Sequence, residues 1–274
     1  MEVSPNPQLG QHFLVDPQAI ETIVNSIPTN SSVVEIGAGS GLLTSALVRR
    51  AKEITAVEVD KRFYPALKSL SGKKRNLKII IDDFLSLDLK KLISSETELV
   101  GSLPYHIIEP LFLRIFPLTI KGATFVVGSR LIREILSSPE LPNFGKLTQL
   151  INTFYDWRVL RELPRESFEP QPPTPAAIIR LTLKPKAIFR EKYYYLIRRL
   201  FLSSQRGAKV KNVLKEGFIK YEKERLNSLT QNQARTIILT LDLPTTILNK
   251  SFEQLSNEQL AELFIKIKSL SDEG

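Results

Sequence analysis

The chain contains no cysteine and only two histidines. A disulfide framework, a cysteine nucleophile and a thiolate metal site are thereby excluded, and a histidine-rich metal centre lacks ligands. Nothing in the sequence requires a metal. No apolar run reaches the roughly 20 residues that span a bilayer. The start Met1-Glu2-Val3-Ser4-Pro5 lacks the basic region followed by an apolar run of a secretory leader. A cytoplasmic protein with no membrane segment is expected. Internal repeats and low-complexity tracts are missing as well. What is present is an ordinary globular composition: 274 residues, 42% hydrophobic and 24% charged, room for one large domain and a smaller one. Lys and Arg number 38 against 29 Asp and Glu, a net charge of +9. Such a field attracts phosphate backbones, which makes nucleic acid the expected partner and an anionic membrane the second.

The first part of the chain alternates short apolar runs with helical patterns, as a βαβ architecture does. Ser32-Val33-Val34-Glu35-Ile36 reads as a buried strand, Gly37-Ala38-Gly39-Ser40-Gly41 as a turn and Leu42 to Arg50 as a helix. Ile54 to Val59 is a second strand, Arg62 to Leu70 a helix, and Leu77 to Ile81 a third strand ending at Asp82-Asp83. A fourth strand leads into Ser102. The pattern predicts a helix from Pro110 to Phe116, a strand from Ala123 to Val127, a helix from Arg130 to Leu136, a turn at Gly145 and a helix from Lys146. The alternation fits a doubly wound sheet. Pro164, Pro170, Pro172, Pro173 and Pro175 then surround Phe168 and exclude a helix there, before the strand-like Ala177 to Leu181. Beyond Lys184-Pro185 the chain turns helical and basic, with twelve Lys or Arg against four Glu between Lys186 and Arg225. The expected domains are residues 1–185 and a helical 186–274.

Three glycines in Glu35-Ile36-Gly37-Ala38-Gly39-Ser40-Gly41 stand where a strand bends into a helix, and side chains there would block a ligand's approach. The spacing G-x-G-x-G differs from the G-x-G-x-x-G of nicotinamide-binding turns. With Glu58 closing the second strand, it resembles the S-adenosylmethionine-binding motif of class I methyltransferases. An acid at the carboxyl end of that strand can accept both ribose hydroxyls. Asp83, followed by Phe84-Leu85, suits the cofactor's adenine amino group and equally suits a turn cap. Ser102-Leu103-Pro104-Tyr105 combines a small polar acceptor with an aromatic face, held rigid by proline. That combination fits chemistry on the amino group of a flat base.

Taken together these segments resemble one family. Gln8-Leu9-Gly10-Gln11-His12-Phe13-Leu14-Val15-Asp16 is similar to the amino-terminal signature of the ribosomal RNA adenine dimethylases. Glu35 to Thr44 resembles their cofactor turn, Gly101 to Tyr105 their target-amine motif, and Phe168-Glu169-Pro170-Gln171-Pro172 through Leu181 their post-sheet loop. The resemblance implies a class I (Rossmann-like) α/β methyltransferase domain with a small C-terminal all-helical domain. It implies S-adenosylmethionine as cofactor, held by His12, Leu14, Gly37, Gly39, Glu58, Asp83 and Ser102. Ser102, Leu103, Pro104 and Tyr105 carry the catalysis it implies, with Tyr105 and Phe168 on the two faces of an extruded adenine. Tyr105 also fits core packing, and Phe168 loop anchoring. His12 and Ser102 both stand where the family usually has asparagine; imidazole and hydroxyl can each accept a hydrogen bond.

Arg198, Arg199, Arg206, Lys209, Lys211 and Lys215, around Gly207, form a candidate phosphate-binding surface, and Arg206, Lys209 and Lys211 are its substrate-binding candidates. Leu196, Ile197, Leu200, Phe201, Val210, Val213 and Leu214 supply an apolar face beneath it. The expected activity is N6-dimethylation of adenines in small-subunit ribosomal RNA within a pre-ribosomal particle, by a monomer with no protein partner inferable. Two other readings share the motifs: a large-subunit RNA adenine methylase of the antibiotic-resistance type, and a catalytically weakened RNA-binding assembly or transcription factor on the same fold.

Overall fold

The computed structural model describes residues 3–6, 10–73, 75–116, 118, 120–135, 146–184, 192–203 and 207–270, with the side chains of Tyr105, Glu134 and Gln149 outside that description. Gln8, Leu9, Leu136, Gly145, Pro185, Lys186 and Arg206 of the sequence reading lie outside it. Two compact units result, one of Met1–Arg133 with Tyr155–Leu183 and one of Glu134–Phe154 with Lys184–Gly274.

The strands in chain order are β1 (Phe13–Leu14), β2 (Ser32–Ile36), β3 (Glu53–Glu58), β4 (Leu77–Ile81), β5 (Thr97–Ser102), β6 (Gly122–Gly128), β7 (Tyr155–Leu163), β8 (Phe168–Glu169) and β9 (Ala176–Leu183). Seven of them form one sheet in the order β4-β3-β2-β5-β6-β9-β7. The pairs from β4 through β6 are parallel, and β9 runs antiparallel to both β6 and β7. The two short strands β1 and β8 pair separately, Phe13 opposite Glu169 and Leu14 opposite Phe168. Parallel strands covered on both faces read as near-continuous apolar runs. Val33, Val34 and Ile36, Ile54, Ala56 and Val57, and Leu99 and Val100 are accordingly buried.

Helices close the sheet's faces. Pro17–Ser26 starts at Pro17 and is capped by Asp16, whose Oδ1 accepts the amides of Gln18 at 2.9 Å and Ala19 at 3.1 Å. The helix predicted from Pro110 begins instead at Tyr105 and runs to Ile115, with Pro110 inside it. Proline there removes only the bond to the His106 carbonyl, and complete burial of Ile108, Leu111, Phe112 and Ile115 outweighs that loss. Strand β7, absent from the sequence reading, lies at the sheet edge with a register shift between Val159 and Arg161.

The second unit is helical: Lys146–Phe154, Lys192–Ser203, Val210–Lys223, Gln231–Thr240, Thr245–Leu248 and Asn257–Ser269. Leu196, Ile197, Leu200, Phe201, Val210, Val213 and Leu214 are buried in it, the apolar face expected from their spacing. Phe201 packs edge-on against Phe252 and Phe264, with centroids at 5.0 and 6.2 Å. No described helix is long and apolar enough to cross a membrane.

Candidate active site

The chain enters the sheet at β2 and builds outward on one side through β3 and on the other through β5. Where strand order reverses, the carboxyl ends of neighbouring strands splay apart and leave a crevice. A cavity of about 510 Å³ occupies this place, lined by Gly37, Gly39, Glu58, Asp83, Ser102 and Phe168 among others. His12, Leu14, Leu103 and Pro104 line it too. Residues distant in sequence thus reach one cavity from the ends of β2, β3, β4 and β5.

The glycine turn leaves β2 still bonded to the end of β3, where the amides of Gly37 and Ala38 both donate to the Val57 carbonyl at 2.9 and 3.2 Å. Gly37 at φ +75° and Gly39 at φ +52° are in the left-handed region, which side chains rarely adopt. A Cβ on Gly39 would meet the Phe13 ring at 3.4 Å, so β1 rests directly on the turn. Glu58 is 5% exposed. Its Oε2 accepts the Gly39 amide at 2.7 Å and its Oε1 the Asp60 amide at 2.8 Å. Burial raises the Glu58 pKa, and these donated hydrogen bonds oppose the shift without cancelling it. A carboxylate offers about four acceptor sites, and these amides do not fill them all.

At the end of β5, Ser102 is half-buried and in register with Val126 of β6. The Leu103 amide donates to the Val126 carbonyl at 3.0 Å, and Pro104, at φ −59° and ψ 141°, turns the chain into the helix Tyr105–Ile115. The Pro104 carbonyl accepts the Ile107 amide at 3.2 Å. Of the two carbonyls following Ser102, the Leu103 one accepts no helical amide among the described residues and is the candidate acceptor, while the Pro104 one keeps one lone pair. Tyr105 is described through its backbone alone.

His12 donates from Nδ1 to the Pro170 carbonyl at 2.8 Å, since a carbonyl can only accept; Nε2 is then the acceptor of the neutral ring. Leu14 and Phe168 are buried at 8% and 5% and belong to the same apolar cluster. Asp83 is exposed, and its Oδ1 caps the following turn by accepting the Leu85 amide at 2.9 Å. In the second unit, Lys209 is exposed at the start of helix Val210–Lys223, and Lys211 is exposed while donating to Asn249 Oδ1 at 2.7 Å.

Three residues here receive no role of their own in the sequence reading. His106 lines the cavity beside the Ser102 segment, so both histidines of the chain stand at one site. Glu35 lies within β2, 1% exposed, and its Oε2 accepts the Thr44 hydroxyl at 2.6 Å. The signal was a lone acid in an apolar strand. Gly101 permits β5 to approach β2: a Cβ there would lie 2.5 Å from the Ile36 carbonyl oxygen.

The profile of one protein family, ribosomal RNA adenine dimethylase, matches residues 3–252. The chain is 30% identical over 273 residues to a probable ribosomal RNA small subunit methyltransferase A of Methanopyrus kandleri, spanning 97% of this chain and 94% of that protein. It is 31% identical over 219 residues to ribosomal RNA small subunit methyltransferase A of Geobacillus thermodenitrificans, 75% of each. Among solved structures it is similar to a dimethyladenosine transferase from Plasmodium falciparum, with TM-score 0.63, 20% identity and 96% and 98% of the two chains covered. A 23S rRNA methyltransferase, ErmE, gives TM-score 0.57 at 22% identity over 93% and 99%. At such identities these two structures speak to fold alone.

Proposed function

Because this chain belongs to the ribosomal RNA adenine dimethylase family, we propose that its cavity positions an adenine amine of small-subunit ribosomal RNA for transfer of methyl groups from S-adenosylmethionine. The activity is that of an rRNA (adenine-N6,N6)-dimethyltransferase. The observation that carries the assignment of residues is the convergence of Glu58, the glycine turn and the Ser102 segment on one cavity.

The donor set fits the cofactor. Glu58 keeps acceptor capacity for the ribose hydroxyls, and the bare backbone of Gly37 and Gly39 leaves room beside it. The Asp83 oxygen not used in the turn cap is the acceptor for the adenine amino group. His12 and Leu14 complete the wall of the cavity. When bound, S-adenosylmethionine supplies an electrophilic methyl group on a sulfonium.

The protein's task is then positioning. The lone pair of an adenine amine is delocalised into the ring, and acceptors at Ser102 Oγ and the Leu103 carbonyl draw its two hydrogens and turn the lone pair outward. The proposed role of Tyr105 is to stack on the extruded base, and that of Phe168, a lining residue of the cavity, is to contact the base's other face. Exposed Lys209 and Lys211, together with Arg206, which lies outside the described residues, bind RNA phosphates. In this reading the unit of Met1–Arg133 with Tyr155–Leu183 holds the cofactor, the unit of Glu134–Phe154 with Lys184–Gly274 takes the RNA in place of a single boundary at 185, and the protein works as a cytosolic monomer on a pre-ribosomal small subunit. The test is incubation with labelled S-adenosylmethionine and under-methylated small subunits, followed by mapping of dimethyladenosine. Cofactor binding with no label in any RNA would defeat the assignment.

A further inference from the structure

A polar cluster at the rim of the cavity takes no part in the chemistry above. Asp60 stands two residues after Glu58, its side chain 6% exposed. Asp60 Oδ2 accepts from Arg62 Nη2 at 2.6 Å and from Gln11 Nε2 at 2.9 Å, while Oδ1 accepts from Arg62 Nε at 2.9 Å and the Arg62 amide at 3.1 Å. Arg62 Nη1 donates onward to the Ser4 carbonyl at 3.1 Å, and the Asn6 amide donates to Gln11 Oε1 at 2.8 Å. One carboxylate thereby ties the amino-terminal segment at Ser4, Asn6 and Gln11 to the loop that follows the proposed ribose acid. The Phe13 ring continues the attachment, edge-on to Phe63 at 5.4 Å and against Gly39.

The other border of the same segment is fastened separately. His12 bonds Pro170, β1 pairs with β8, and the amides of Val15 and Asp16 donate to the Ser167 carbonyl. Residues 10–14 consequently form one wall of the cavity, suspended between two sets of anchors. The backbone ladder holding that wall is only two residues long. Short, sparsely bonded elements open at low free energy, so the side-chain anchors decide how often the wall is in place.

A nearly buried carboxylate needs partners to offset its desolvation, and the bidentate guanidinium provides them in the strongest geometry available to a carboxylate. The Arg62 guanidinium holds the Asp60 carboxyl well below the usual carboxylate range, so it remains ionised through neutral and mildly acidic pH. Arg62 does not line the cavity. Its guanidinium bonds Asp60 and the Ser4 carbonyl, and neither residue lines the cavity.

We propose that Asp60, Arg62 and Gln11 act as a positioning latch that holds residues 10–14 across the cofactor cavity, so that Arg62 sets cofactor affinity without touching the cofactor. The latch rests on the reading of the cavity as the S-adenosylmethionine site. A protein whose binding-competent form is only partly populated shows an affinity reduced by that fraction.

The test is calorimetric binding of S-adenosylmethionine to the full chain and to Gln11→Ala, Arg62→Ala, Arg62→Lys and the Gln11→Ala/Arg62→Ala double variant, with amide exchange read at Phe13 and Leu14. Arg62→Ala is expected to weaken binding by about fivefold or more, the low end of ordinary coupling between sites. Arg62→Lys recovers part of the loss, because an ammonium cannot reproduce the fork. The double variant weakens binding by less than the product of the two single effects, since both act through Asp60. Exchange at Phe13 and Leu14 accelerates in both single variants, and in turnover the cofactor KM rises by a larger factor than kcat falls. Arg62→Ala protein that binds within twofold of wild type with unchanged exchange overturns the latch. Wild-type protein that binds no cofactor, while Arg62→Ala still frees Phe13 and Leu14, overturns the reading of the cavity and the latch's effect on affinity with it.

Discussion

The Thr44 hydroxyl donates to the Glu35 carboxyl at 2.6 Å, joining the end of β2 to the first turn of the helix Leu42–Leu47 beneath the glycine turn. Burial pushes the Glu35 carboxyl up to about 8, reinforced by the charge of Glu58 and opposed by the Thr44 hydrogen bond. For an acid whose folded pKa is raised, the folded state holds the extra proton. Stability from this group is full below the ordinary value of 4.5 and is lost as pH rises through about 8. Glu35→Gln keeps an oxygen for Thr44 and cannot ionise. The variant should gain stability over wild type progressively between pH 5 and 9, read from denaturant midpoints across the range. A constant difference at all pH values would show that Glu35 does not titrate in this window.

Gly101 is a condition for the cavity. A Cβ at that position meets the Ile36 carbonyl oxygen at 2.5 Å and Leu103 Cδ2 at 3.1 Å. Backbone cannot swing aside as a side chain can, so Gly101→Ala should destabilise the protein by about 1–3 kcal/mol, the ordinary cost of overpacking. The displaced strand carries Ser102 with it. Methyl transfer should therefore fall in the fraction that remains folded, and a variant of wild-type stability and turnover would refute the close approach.

Glu98, fully buried on β5, holds Arg180 of β9 through bonds of 2.6 and 2.9 Å, and Arg180 also donates to the Thr124 hydroxyl. Removing one partner strands a charge away from water. Glu98→Ala should cost about 3–5 kcal/mol, whereas Glu98→Leu with Arg180→Leu should recover much of that loss. Thermal unfolding of the three proteins distinguishes the cases: a double variant as unstable as the single one means that the pair is more than a satisfied structural contact.

Tyr155, at the start of β7, is 1% exposed and packs edge-on against Phe112 at 6.1 Å. Its hydroxyl has no hydrogen-bond partner among the described residues, and burial pushes its pKa upward. Deleting an unsatisfied buried hydroxyl while keeping the ring removes a desolvation cost. Tyr155→Phe should raise stability by about 1 kcal/mol. A loss of similar size would reveal a partner for that oxygen.

The features legible in the sequence are those whose signals are local. Strands β2, β3, β4 and β5 are apolar runs flanked by turn residues, and the cavity stands at their carboxyl ends, so Gly37, Glu58, Asp83 and Ser102 follow from reading where each run stops. Strand β7 escapes because Asp156, Arg158 and Glu162 are exposed on an edge strand whose register shift breaks the period of two. Pro110 suggests a helix start by position alone, and only the burial of Ile108 and Leu111 carries the helix back to Tyr105. The pairing of Leu14 with Phe168 and the bond from Gln11 to Asp60 join residues far apart in the chain, where no local pattern can point.

The central claim is that the end of β5 orients the adenine amine, and the most direct measurement is the single-turnover rate of methyl transfer to under-methylated small subunits at saturating S-adenosylmethionine for wild type, Ser102→Ala and Ser102→Asn. Losing the acceptor in Ser102→Ala should slow transfer by about 10- to 100-fold, with a smaller effect on cofactor affinity. Ser102→Asn, with a longer side chain ending in an amide oxygen, should transfer at least as fast as wild type. A Ser102→Ala protein as fast as wild type would contradict the account.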